Sequence, residues 1–70
     1  MGESVYKIIE LVGASSESWE KAAQAAISRA SESIRDLRIA EVSAMDLQIQ
    51  NGRIEAYRVK IKVSFKYEAE

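Results

Sequence analysis

The sequence predicts one small α+β domain in which the elements follow the order β-α-β-β. Three observations predict it: a helical stretch whose apolar residues recur every three or four positions, a strictly alternating strand near the C-terminus, and an Asn-Gly pair between two apolar stretches. With 70 residues, the chain is expected to form a single domain over residues 1–70.

The first strand and the helix lie in the N-terminal half. Residues 5–12 are rich in Val, Ile and Tyr, which predicts a strand that ends at Gly13. Ser15 or Ser16 is the predicted helix N-cap, because a Ser side chain accepts a hydrogen bond from a free backbone N–H. The helix is predicted from about Ser16 to Ser33 or Arg35. Its apolar stripe consists of Trp19, Ala22, Ala23, Ala26, Ile27, Ala30 and Ile34.

The second strand is predicted from Arg38 to about Ile49. Alternation places one set of side chains on the helix side, namely Ala40, Val42 and Ala44. It places the other set on the outer face, namely Ile39, Glu41, Ser43 and Met45. Leu47 and Ile49 then fall out of phase, which predicts a β-bulge near Met45 or Asp46.

The third strand completes the topology. Asn51-Gly52 predicts a two-residue hairpin turn. After it, one alternating set of side chains is expected to face the helix: Tyr57, Val59, Ile61, Val63, Phe65 and Tyr67. A right-handed crossover makes strands one and two parallel, so a central third strand, order 2-3-1, satisfies both pairings.

Size and composition predict that the fold is reinforced either by self-association or by a hard cation held by oxygen atoms. A domain of this length buries too little surface to be stable without reinforcement, and the chain has neither Cys nor His for disulfides or zinc. One helix covers only one face of the sheet, so the outer face is predicted to form a subunit interface.

Several function classes are disfavoured. Without His or Cys the chain lacks the commonest general base and the thiol nucleophile, so no enzyme activity is expected. The net charge of −1 argues against a nucleic-acid partner. No apolar run is long enough to span a membrane and no signal peptide is evident, so the expected location is cytoplasmic.

A few residues have both a structural and a functional interpretation. Trp19 is a packing anchor or a ring on which a ligand stacks. The basic row is the solvated or interface side of a strand, or a phosphate contact; it comprises Arg58, Lys60, Lys62 and Lys66. Acidic side chains, Glu17 and Asp46 among them, could supply oxygen ligands to Ca²⁺ or Mg²⁺ without any EF-hand spacing.

The residues of four segments together resemble the dodecins. These segments are Val5–Gly13, Ala26–Ala30, Ala40–Val42 and Tyr57–Phe65, and the likeness covers nearly the whole chain. The resemblance implies a β-α-β-β fold whose sheet wraps one helix, and a hollow homo-dodecamer without catalysis. It further implies a flavin (riboflavin or FMN) held between subunits by a Trp and a Gln.

Both flavin-binding positions are substituted in this sequence. By the resemblance, Ile39 stands at the Trp position and Arg58 at the Gln position, and with Met45 they are the candidate cofactor residues. The segments Ser18–Glu20, Arg38–Ala40 and Arg58–Lys60 resemble the calcium-binding dodecin type, for which Glu17 and Asp46 are the candidate ligands.

Three functions follow as hypotheses. The first is a dodecin-like shell that binds or buffers a small ligand or a cation such as Ca²⁺. The second is a structural particle that presents its helices to a protein partner. The third is flavin storage in an altered pocket around Ile39, Met45 and Arg58.

Overall fold

The computed structural model describes residues 2–67 and shows one helix packed on a three-stranded sheet. The elements are β1 (Tyr6–Ser15), α1 (Trp19–Ser31), β2 (Leu37–Gln50) and β3 (Arg53–Lys66). The strand order is β1-β3-β2, and β3 is antiparallel to both neighbours. The predicted α+β class, the element order and the central third strand are therefore confirmed.

Small residues of α1 pack against large residues of β3. Ala22, Ala26 and Ala30 are buried on the helix, and Val59, Ile61 and Val63 are almost fully buried on the sheet. Partly buried side chains surround this core: Ile9, Leu11, Trp19, Ala23, Ile27 and Leu37. Alanines let the helix approach the sheet closely, as the stripe of apolar residues predicts.

The first strand runs further than the sequence suggested. It continues through Gly13 to Ser15, because Gly13 pairs with Val59 and Ser15 pairs with Tyr57. Gly13 is buried beneath α1, and a Cβ there would collide with the backbone carbonyl of Ala22. Gly13 therefore allows the helix to lie close to the sheet and does not end the strand.

The predicted N-cap at Ser15 or Ser16 is wrong. Ser18 caps the helix, with an extended backbone (φ −167°, ψ 163°) and a side-chain oxygen that accepts from the N–H of Lys21 at 3.0 Å. Since β1 still includes Ser15, the chain needs the following residues to turn, and the Ser15 hydroxyl accepts from the N–H of Glu17 at 2.9 Å. Glu17 therefore precedes the helix.

The helix also ends earlier than Ser33 or Arg35. Ser31 is its last residue, and Glu32 caps it in the right-handed conformation. The N–H groups of Ser33 and Ile34 both donate to the carbonyl of Ala30, which closes the last turn. Asp36 then adopts φ +59°, and this left-handed residue leads the chain into β2.

The bulge predicted near Met45 or Asp46 lies two or three residues earlier, at Ser43, and β2 has another irregularity at Arg38. The register changes between Val42, which pairs with Ile61, and Ala44, which pairs with Lys60. This change reverses the facing of all following residues of β2. Met45 consequently pairs with Val59 on the helix side, so its predicted placement on the outer face is wrong.

The hairpin turn is confirmed. Asn51 and Gly52 have φ values of +54° and +74°, the left-handed values that a two-residue turn of this type needs. The third register change of β2, between Gln48 and Ile49, accommodates one extra residue of β3 near Glu55. None of the helices among residues 2–67 has the length and apolar character needed to cross a membrane.

Candidate functional site

The outer face of the sheet, which α1 does not cover, carries the candidate site. Ile39 and Arg58 both lie there, as the sequence predicts, since Ile39 pairs with Ser64 and Arg58 pairs with Asp46 on this face. The central strand contributes Arg58, Lys60, Lys62 and Ser64 in succession. This outer face therefore holds two of the predicted ligand residues, Ile39 and Arg58.

An ion pair joins β2 and β3 on the outer face. The Nε of Arg58 donates to Oδ1 of Asp46 at 2.8 Å, and its Nη2 donates to Oδ2 at 2.9 Å. Such a two-point contact fixes the plane of the guanidinium. The bulge at Ser43 makes the pair possible, because regular alternation from Ala40 would place Asp46 on the helix side.

The contact between Asp46 and Arg58 shifts the pKa values of both side chains. The hydrogen bonds from Arg58 hold the pKa of the Asp46 carboxyl below its ordinary value, and the positive charges of Arg58 and Lys60 act in the same direction. The same pair raises the pKa of the Arg58 guanidinium. Both side chains are therefore fully charged at neutral pH.

Asp46 also connects the outer face to the helix. Its backbone carbonyl accepts a hydrogen bond from Nε1 of Trp19 at 3.3 Å. The carbonyl of Asp46 therefore bonds to a residue on the helix side of the sheet, while its carboxylate bonds to Arg58 on the outer face. The Trp19 ring meets Tyr57 edge-to-face at a centroid distance of 5.2 Å. Trp19 is a packing anchor in this fold, which agrees with the structural interpretation of its place in the apolar stripe.

An apolar depression surrounds Ile39 at the other end of the outer face. It has a volume of about 580 Å³ and is lined by Tyr6, Ile8, Arg38, Ile39 and Ser64. Ile8 and Ile39 are 61% and 68% exposed and flank Ser64 from the two edge strands. An isoleucine here offers apolar contact area without the flat ring that stacking on a flavin needs.

Ile39 and Arg58 are far apart within one chain. Ser64, the partner of Ile39, is six residues from Arg58 along β3. At about 3.3 Å per residue of strand, this separation is roughly 20 Å. One flavin ring system cannot touch both side chains of the same copy.

Met45, the third candidate cofactor residue, lies on the opposite face. It lines an apolar cleft of about 210 Å³ between α1 and β2, together with Trp19, Glu20, Ala23, Val42 and Val59. The sheet therefore separates Met45 from Ile39 and Arg58, and the three residues do not form one pocket in a single copy.

The two predicted metal ligands are each engaged by a cation. Glu17 forms an ion pair with Lys21, and both oxygens of Asp46 accept from Arg58. Within residues 2–67, no three acidic side chains come close enough to hold a metal ion. A single copy of the chain thus offers no cluster of carboxylates to Ca²⁺, whose six to eight oxygen ligands also include carbonyl groups and waters.

Sequence reasoning missed the role of Asp46 as the partner of Arg58. A charge of opposite sign across a hairpin is a usable signal. Counting back from the Asn51-Gly52 turn, however, pairs Asp46 with Tyr57, and only the extra residue near Glu55 brings it opposite Arg58.

The family model and the similar proteins found by sequence all belong to one family. The Dodecin family model matches residues 5–68. The chain is 44% identical to calcium dodecin of Mycobacterium tuberculosis over 63 residues, which cover 90% of this chain and 89% of the relative. It is 41% identical to a dodecin of Thermus thermophilus over 64 residues, which cover 91% and 93% of the two chains.

Solved structures agree with the fold. Dodecin from Streptomyces coelicolor superposes with a TM-score of 0.93 at 31% identity and full coverage of both chains. Calcium dodecin from M. tuberculosis, described as having a novel calcium-binding site, gives a TM-score of 0.84 at 43% identity and 93% coverage of each chain. By its sequence match, its strand order and its superposition, the chain belongs to the dodecin family.

Proposed function

We propose that the protein is a non-catalytic ligand-binding dodecin that assembles into a homo-dodecameric shell and takes up a small ligand where copies meet. The separation of Ile39 and Arg58 carries this proposal. The two residues share the outer face but lie roughly 20 Å apart in one copy, as their register along β3 requires. A small ligand contacts both residues only when a second copy supplies one of them.

The apolar surface of the single chain supports assembly. Large apolar side chains are exposed on both faces of the sheet, among them Tyr6, Ile8, Val12, Ile39, Val42, Met45, Ile49 and Ile54. A monomer seldom leaves so much apolar surface in water, because removing each Å² from water contributes about 25 cal/mol. Burial between copies also supplies the stability that a short chain lacks.

Size-exclusion chromatography coupled to light scattering tests the assembly. Twelve copies of 7.8 kDa give a particle of about 94 kDa. A stable species of 7.8 kDa would contradict the proposed shell and, with it, a site shared between copies.

Flavin storage in an altered pocket is the alternative ligand function. Titration of riboflavin and FMN, followed by quenching of flavin fluorescence, tests it. Ile39→Trp should tighten binding, since a stacked aromatic ring adds about 0.5–1.5 kcal/mol beyond area burial. Ile8→Trp, on the opposite side of Ser64, is the matched control. Absence of quenching by both the native chain and Ile39→Trp would rule this alternative out.

Calcium is the second candidate ligand. The 44% identity to calcium dodecin favours it, and since no three acidic side chains meet within residues 2–67 of one copy, we expect carboxylates of several copies to contribute oxygen ligands. Calorimetric titration of the assembled protein with CaCl₂ should show binding that Asp46→Asn or Glu17→Gln weakens. Glu32→Gln, which removes an exposed carboxylate paired with Arg29, is the control. No heat from the native protein would exclude calcium.

If neither ligand binds to a particle of the expected mass, the interpretation as a structural particle that presents its helices to a protein partner takes precedence.

A further inference from the structure

The guanidinium of Arg58 keeps one recognition edge available. Asp46 occupies the side edge, formed by Nε and one N–H of Nη2. The end edge, formed by Nη1 and the other N–H of Nη2, offers three further N–H groups. Among residues 2–67, Arg58 donates to no acceptor other than Asp46. The free edge matches the spacing of two oxygens of a carboxylate or a phosphate.

Asp46 holds the free edge of the Arg58 guanidinium in one orientation. A free arginine side chain loses rotamer entropy when it grips a ligand, whereas a guanidinium already held at two points has lost most of it. Asp46 therefore acts as a positioning residue for Arg58. Small neighbours, Ala14 across on β1 and Ala56 along β3, leave the approach to the guanidinium open.

Lys60 supplies a second positive charge on the same face. It follows Arg58 by two residues, which places the two side chains about 7 Å apart along the strand. Its neighbours across the sheet are Val12 and Ala44, which carry no charge. Lys60 has no salt bridge within residues 2–67.

Lys62, the next residue on this face, has opposite surroundings. Its neighbours across the sheet are Glu10 on β1 and Glu41 on β2. Lys62, like Lys60, forms no salt bridge within residues 2–67, but the two carboxylates across from it lower the local positive potential. Between Arg58 and Ser64 on the outer face of β3, Lys60 is thus the lysine with no acidic residue directly across the sheet, and it lies beside the free edge of Arg58.

We propose that Arg58 and Lys60 form a phosphate-binding site on the outer face, with Asp46 as the residue that orients Arg58. A phosphate dianion bridges the two cations better than a carboxylate, since each cation meets a charged oxygen. This ligand class rests on the proposed function, because Arg58 belongs to the surface where small-ligand binding is proposed. Both cations belong to one copy, so the phosphate group itself needs no residue from a second copy, whereas a larger ligand that also reaches Ile39 does.

Line broadening of inorganic phosphate in ³¹P NMR, recorded with increasing protein, measures the binding. The native chain should broaden the signal, and Lys60→Gln should weaken the affinity about five-fold, the equivalent of about 1 kcal/mol for an exposed charge contact. Arg58→Gln should weaken it at least as much. Lys62→Gln is the matched control, because it removes the same charge from the same face and strand, and its effect should stay below about two-fold.

Two results would overturn the site. One is the absence of broadening by the native chain, and the other is an equal loss in Lys60→Gln and Lys62→Gln, which would indicate a diffuse field. Competition by acetate should be at least about ten-fold weaker than that by phosphate, and equal competition would reject phosphate as the ligand class. Light scattering on each variant separates these outcomes from a failure of assembly. A particle of full mass that ignores phosphate leaves the proposed function standing.

Discussion

Two residues of the sheet, Gly13 and Asp46, make contacts that fix how the sheet packs. Gly13 admits the helix onto β1, and Asp46 bonds to both faces of β2 through its side chain and its carbonyl. The sequence pattern has no signal for the role of Gly13, and the turn alone pairs Asp46 with Tyr57 and not with Arg58. A glycine in a strand is usually read as a break, and an aspartate next to a bulge has no predictable facing until the bulge is located.

Replacing Gly13 by alanine should destabilise the fold. The new Cβ would lie 2.9 Å from the carbonyl carbon of Ala22 and closer still to its oxygen, so α1 must move away from the sheet. A loss of about 1–3 kcal/mol is expected from such overpacking. Urea unfolding measures it, with Gly2→Ala as the control because nothing lies within 4 Å of that position. Equal stability of the two variants would show that the helix shifts freely.

The Asp46–Arg58 pair should make part of the stability depend on acid. The pKa of Asp46 in the folded chain lies below its ordinary value, so the pair stabilises the fold at neutral pH. This contribution is lost as the pH falls below about 4 and through the depressed pKa. The stability difference between the native chain and Asp46→Asn should therefore shrink in acid.

A double-mutant comparison isolates the contribution of this ion pair. In an Arg58→Gln background, Asp46→Asn should have a much smaller pH-dependent effect, because the partner that lowers the pKa is gone. Denaturant unfolding between neutral pH and pH values of about 3 gives the four stabilities. An unchanged pH dependence in that background would assign the lowered pKa of Asp46 to another positive charge, such as that of Lys60.

At the level of whole elements, periodicity predicted their type and order well but predicted their ends poorly. The alternation of Val59, Ile61 and Val63 and the alanine stripe of α1 correctly gave the buried faces. The helix start was misplaced, because three serines, Ser15, Ser16 and Ser18, compete as caps. The choice of cap depends on how far β1 pairs with β3, and this is a tertiary property.

The cap assignment can be measured directly. Ser18→Ala should lower stability by about 1 kcal/mol, since the N–H of Lys21 loses its acceptor. Ser16→Ala is the control and should be nearly neutral, as no side-chain hydrogen bond involves it within residues 2–67. Thermal unfolding followed by circular dichroism at 222 nm records both. A larger loss in Ser16→Ala would return the helix start to the position that the sequence first suggested.

For the molecule as a whole, the candidate site is less predictable than the fold. Ile39 and Arg58 were correctly assigned to one face, but their separation along β3 appears only with the register. Met45 was assigned to the wrong face because the bulge lies at Ser43. A site shared between copies depends on how their surfaces fit, and the pattern of one chain contains no direct record of that fit.

Assembly should be visible in the thermodynamics of the whole particle. If the exposed apolar surface is buried between copies, folding and association are coupled, and the melting temperature must rise with protein concentration. Scanning calorimetry over a hundred-fold range of concentration measures this rise. A melting temperature that does not depend on concentration, together with a low mass in solution, would show that the monomer is stable alone.

The hydrogen bond from Trp19 to Asp46 also has a spectroscopic consequence. Trp19 is the only tryptophan of the chain, and its indole N–H ends on the residue whose side chain holds Arg58. Indole emission responds to hydrogen bonding and to the polarity around the ring. Trp19 is therefore an intrinsic fluorescent probe, and its emission maximum should shift when the backbone near Asp46 moves. Occupancy of the outer face can be followed from the opposite side of the sheet without any added label.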